Sequence, residues 1–123
     1  MRCLATDIRG SSLIEAALVI PVLLFMVLGG VDVGRVLWVR NTLQSAVESA
    51  ARCAAVDATN CATASAVKTH AANMATGIGV AASEFAVSNP SCGEKVEITY
   101  TYTGAISSVI NFQPTFTVSA CHP

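Results

Sequence analysis

The chain has 123 residues, 7 basic and 8 acidic side chains, a formal charge of −1, and an apolar fraction of 53%. A balance this close to neutral gives no electrostatic footprint for nucleic acid, and the length leaves room for one small domain beyond an apolar N-terminal stretch. Five cysteines in so short a chain argue for disulfides and an oxidising compartment.

The chain opens on a short segment, residues 1–10 (MRCLATDIRG), that contains Arg2, Arg9 and Asp7. A long apolar run follows, and between Leu13 and Val31 only Glu15 is ionisable. As a helix rising about 1.5 Å per residue, this run spans about 28 Å, close to the hydrocarbon thickness of a bilayer. It reads as a transmembrane segment over residues 11–34. The run is longer than a signal-peptide core and leads into charged residues without a small-x-small cleavage site. A carboxylate costs up to about 3 kcal/mol at mid-membrane. Glu15 therefore either snorkels to water or meets a positive partner in or beside the membrane.

Within the span, Pro21 leaves the carbonyl of Ala17 without its helical donor, and Gly29-Gly30 weakens the helix again. Both read as bend points, against the alternative that membrane helices simply tolerate them. Asp32 and Arg35, three residues apart at the end of the run, are spaced to pair on one helix face at the membrane edge, the alternative being a plain solvated boundary. Arg2 and Arg9 on one side are balanced by Arg35 and Arg40 on the other, so charge does not set orientation. The cysteines do, by placing the C-terminal side outside the cytoplasm. Trp38 then falls at the headgroup level of that far side.

The helix is expected to continue as an amphipathic stretch over residues 35–56. Val33, Val36, Leu37, Leu43, Ala46, Val47, Ala50, Ala51 and Ala54 follow helical spacing, with charged and polar residues mostly opposite. The remainder, residues 57–123, reads as a small α+β domain. Asp57-Ala-Thr-Asn60 is turn-like, and a Cys53–Cys61 bond would close a short loop worth about 2.5 kcal/mol in the chain-entropy model. A second helix is expected from about Thr63 to Thr76, ended by Gly77 and Gly79.

The period then changes to two. Val96–Thr103 and Thr115–Cys121 alternate apolar and polar residues as half-buried strands, and Glu84–Ser88 is a weaker third strand. If the last two strands pair, Cys92 and Cys121 meet at one end of the sheet and close a loop worth about 3.6 kcal/mol. The rival for these four cysteines is a zinc site, which their spacing disfavours because no Cys-x-x-Cys occurs. The apolar connection Gly104–Gln113 reads as a lid over the sheet edge or, alternatively, as a contact surface for a neighbouring subunit. The expected fold is α+β: one long helix, a short second helix and about three antiparallel strands, stapled by disulfides.

No catalytic set, phosphate loop or cofactor motif stands out, and His70 and His122 read as solvent-facing. The expectation is a non-enzyme without a cofactor.

Gly10 followed five residues later by Glu15 and an apolar helix resembles the type IV prepilin cleavage signal. Together with Glu15-Ala-Ala17, Pro21, Gly29-Gly30, Asp32-x-Gly34-Arg35, Asn41-x-x-Gln44 and Ala50-Ala51-Arg52, it resembles the TadE-like minor pseudopilins of the tight-adherence (Flp, type IVb) pilus system. Ala16 departs from the aromatic residue that major pilins of that class carry, and the chain is longer than they are.

The resemblance implies a cytoplasmic leader over residues 1–10, cleavage between Gly10 and Ser11 by a prepilin peptidase, and registration of neighbouring subunits by Glu15 on the new Ser11 amine. It implies a single-pass protein of the bacterial inner membrane with a periplasmic domain. Its partners would be other Tad pilins and pseudopilins and the pilus assembly platform, and its role initiation, priming or capping of the pilus. The alternative is a signal-anchored adhesive or sensory module that never assembles.

Overall fold

A computed structural model of the chain describes residues 8–123. The leader expected over residues 1–10 therefore lies mostly outside the described residues, and Cys3 does so entirely. Helix α1 runs without interruption over Ile8–Val56, 49 residues with Pro21 inside it, or about 74 Å of helix. It stays helical through Pro21 and Gly29-Gly30.

The two halves of α1 have different fates. Every residue from Gly10 to Leu28 is exposed. From Val36 onward an apolar stripe turns to the domain. Val39, Leu43, Ala46, Val47, Ala50 and Ala51 are all buried, with Leu43, Ala46, Val47 and Ala50 wholly inaccessible. Three- and four-residue steps stack these side chains on one face. Alanine at three of the six lets neighbouring backbones close in. Two residues expected in the stripe are not in it. Val33 and Leu37 remain exposed; Val33 shares its helix face with the buried Ala51, about five turns further on, so its exposure reflects where along the helix the domain's core begins.

Helix α2 (Ala64–Met74) starts at Thr63, whose hydroxyl accepts the amide of Ala66. It lays Val67, Ala71 and Ala75 against α1. A short 3-10 turn (Ala82–Glu84) leads into strand β1 (Phe85–Ser88), then β2 (Glu94–Thr101) and β3 (Thr115–His122). The sheet is antiparallel in the order β1-β2-β3. Phe85 pairs with Ile98, and β2 meets β3 from Glu94↔His122 to Thr101↔Thr115.

Period-two alternation sends Phe85, Val96, Ile98 and Val118 into the core. The opposite face carries threonine pairs, Thr99 with Thr117 and Thr101 with Thr115, each bonded hydroxyl to hydroxyl at 2.9 Å. Each such pair contributes on the order of 0.2–1 kcal/mol. The disulfides join Cys53 to Cys61 and Cys92 to Cys121, with Cα separations of 5.7 and 6.2 Å.

The connection after β2 differs from expectation. It holds a one-turn helix, α3 (Ala105–Val109), and packs on α1 beyond the end of the sheet rather than covering a sheet edge. The lid reading is overturned by the register. Thr101↔Thr115 is the last strand pair, and Gln44 of α1 reaches the carbonyl of Ser119 at 3.4 Å. β3 thus ascends alongside α1, and the hairpin tip projects from the sheet's lower end toward the bare half of the helix.

Candidate functional site

Two regions carry features that folding alone does not require: the bare N-terminal half of α1, and the junction where the hairpin tip meets it. Gly10 and Ser11 lie in the first turns of α1, exposed, and nothing stands within 4 Å of where a Gly10 side chain would be. Glu15 is exposed on the same surface and has no hydrogen-bond or ion-pair partner among the described residues. Leu13, Ile14, Leu18 and the large side chains that follow are about half to three-quarters exposed. A run of this length has no place on a water-facing surface. The helix is long and apolar enough to cross a membrane.

At the junction, Asp32 does not make the expected pair with Arg35. Among the described residues the ion pair present is Lys95–Glu97, at 2.6 Å on the surface. The Asp32 carboxylate turns instead to the start of α3. It accepts the amide of Ile106 at 2.7 Å on Oδ2 and the amide of Ala105 at 3.3 Å on Oδ1. The first amides of a helix have no internal acceptor and draw negative charge, so the carboxylate gains more there than from a flexible arginine in water.

Gly104 allows this approach. A side chain at that position would collide with Asp32 and with the ring of Tyr102. Ser107, buried, closes the turn by bonding to both the amide and the carbonyl of Gly104. Asn111, at φ 53°, occupies the left-handed region as the turn leaves α3.

Tyr102 packs beneath this contact with only 6% of its surface exposed. Burial, and next the Asp32 carboxylate, push its phenol above the ordinary value of 10.0, while Arg35 draws it the other way. Between α1 and the hairpin tip lies a groove of about 380 Å³, bordered on one side by Gly29, Val33, Val36 and Leu37 and on the other by Ile106, Ile110, Phe112 and Pro114.

His70 is half-buried rather than solvent-facing. Its Nε2 lies 3.1 Å from Ser49 Oγ, across the α1–α2 contact. Among the described residues no carboxylate hydrogen-bonds its other nitrogen. The nearby Asp57 accepts the amides of Thr59 and Asn60 and the Asn60 side chain, bonds that hold its carboxyl below the usual value of 3.8. Ser49–His70 thus reads as an interhelical hydrogen bond rather than an activated nucleophile. His70 also falls within 4.8 Å of the sulfurs of Cys53 and Cys61. Those sulfurs are bonded to each other, so neither presents the thiolate a metal would need.

Both cysteine pairs were legible from the expected strands and turn. The contact between Asp32 and α3 was not, since it joins residues more than seventy positions apart. Its one signal was the lack of any charged residue in the connection that Asp32 caps.

The fold and these surfaces define a small, disulfide-bonded α+β domain built on the distal half of a long helix whose proximal half is apolar and bare. The family described as TadE-like protein matches residues 10–52, which take in the bare half and nearly all of the core stripe. Over those residues the chain is similar to that family. No curated protein and no solved structure matches the chain.

Proposed function

We propose that this protein is a minor pseudopilin of a tight-adherence pilus system, anchored by α1 in the bacterial inner membrane with its domain on the periplasmic side. The TadE-like match over residues 10–52 supports this reading. The observation that carries the more specific reading is the bare apolar half of α1 with Glu15 exposed near its start. A helix of that kind serves as an anchor in lipid and as a core element in a bundle of similar helices.

Cleavage after Gly10 gives Ser11 a positive amine, and Glu15 of one subunit meets that amine on its neighbour. Desolvation offsets much of the attraction, so the pairing acts on register more than on strength. Glycine at the cut aids access, since it weakens the first turn of a helix that must open before a peptidase can act. Pro21 and Gly29-Gly30 let the helix bend as it leaves lipid for a protein bundle. The role is initiation, priming or capping of the pilus, without catalysis.

Co-expression with an active prepilin peptidase is expected to shorten the chain so that it begins at Ser11, read by intact mass. Retention of residues 1–10 under those conditions would overturn the prepilin assignment in favour of an anchored adhesive or sensory module. Glu15→Val is expected to leave processing largely unchanged and to reduce co-isolation with other pilins several-fold. Normal co-isolation would remove Glu15 from assembly.

A further inference from the structure

The hairpin tip sits at a level that a water-soluble loop has no reason to occupy. Asp32, which holds α3, is two residues from the end of the span read over residues 11–34, and the groove beneath the tip extends down α1 to Gly29. From Gly29 to Leu37 is about 12 Å of helix. The headgroup layer on one side of a bilayer is only about 5–8 Å thick. A groove that touches Gly29 therefore reaches past the headgroups toward the acyl chains.

The tip is suited to that depth. From Ile98 to Cys121 the chain has no Asp, Glu, Lys, Arg or His. Val109, Ile110 and Phe112 turn outward at 70%, 59% and 63% exposure, a patch continuous with the bare apolar surface of α1. Much of the segment's backbone is hydrogen-bonded internally. The carboxylate of Asp32 takes the two leading amides of α3, Ser107 closes on Gly104, and the amide of Phe112 donates to the carbonyl of Ser107. Backbone groups bonded in this way can enter an apolar phase without the penalty an open loop would incur.

We propose that the hairpin tip is a second membrane contact, in which Val109, Ile110 and Phe112 enter the leaflet on the domain's side and hold the domain against the bilayer beside its own anchor. The occupant of this surface is lipid, and the proposal rests on the reading of α1 as a membrane anchor. A two-point attachment fixes the tilt of the domain relative to α1. It must be broken when the subunit leaves the membrane, which makes extraction depend on this small apolar patch.

Full-length protein in phosphatidylcholine–phosphatidylglycerol vesicles tests both levels, using lipids brominated either near the glycerol or near the chain ends. In a Trp38→Phe background, Phe112→Trp reports the tip and Phe25→Trp reports the anchor; Ile110→Trp provides a second probe of the tip. The expected result is that the tip probes lose about half their fluorescence to the shallow bromine and little to acrylamide, while the Phe25→Trp probe responds most to the deep bromine. Deep quenching of the anchor probe with tip probes open to acrylamide would overturn the membrane contact and leave the anchor standing. Tip probes shielded from both quenchers would overturn it in favour of a protein partner. An anchor probe that neither lipid quenches would remove the anchor reading and the tip contact with it.

Discussion

Asp32 shows how one side chain can be assigned to the wrong partner when only local spacing is considered. Three residues separate it from Arg35, a distance that favours pairing on a helix, yet its carboxylate caps a helix formed by Ala105–Val109. An Asp32→Ala substitution is expected to loosen the tip by about 1 kcal/mol, the usual cost of a lost cap. Limited proteolysis should then cut within residues 104–113 roughly five-fold faster, while the sheet stays protected.

Gly93 is more restricted. At φ 111° it faces the carbonyl of His122 so closely that no side chain fits. Gly93→Ala should lower stability by about 1–3 kcal/mol, read as a reduced denaturant midpoint with both disulfides intact.

Asp57 carries a pH dependence of known sign. Its folded carboxyl titrates below the unfolded value of 3.8, so its contribution is present above that value and is lost as pH falls through the folded one. Asp57→Asn should flatten that acid limb of the stability curve. Tyr102 works in the opposite direction: its phenol is raised above 10.0, so its contribution is present below that value and disappears as pH rises through the folded one.

At the scale of elements, periodicity was a sound guide where the element itself contained the signal. The alternation in Val96–Thr103 and Thr115–Cys121 marked β2 and β3 because one face of each is buried and the other carries threonines. Pairing those two strands also placed Cys92 opposite the end of the sheet where Cys121 lies. Helical spacing from Val36 to Ala54 marked the face of α1 that enters the core, though the stripe could not show where contact with the domain begins. Leu43 is wholly buried at its centre, and Leu43→Ala should cost about 2–5 kcal/mol by denaturant titration.

α3 escaped notice for a physical reason. Five residues are too few to show a period or to hold a helix alone, and the acceptor that stabilises its first turn comes from α1. The half-burial of His70 was hidden similarly, since the hydroxyl it meets belongs to Ser49 on another helix.

For the molecule as a whole, the long helix has a bare apolar half and a half packed into the domain, and the hairpin tip lies where the two meet. The disulfides matter most on the domain side, where a small core leaves little margin. Replacing Cys92 and Cys121 by serine should lower the domain's stability by about 3.6 kcal/mol in the chain-entropy model, measured by thermal unfolding in detergent.

The sequence by itself determined the apolar span, the acid at Glu15, the amphipathic continuation, the strands of the sheet and the cysteine pairing. Each of these rests on the composition or period of a contiguous stretch, or on strands and a turn that such stretches define. Only the tertiary structure decided that Asp32 caps α3, that Tyr102 is buried beside it, and that the apolar connection lies against α1 between Gly29 and Leu37. Those contacts depend on the register by which β3 ascends α1, and a register between distant segments leaves no periodic trace in either.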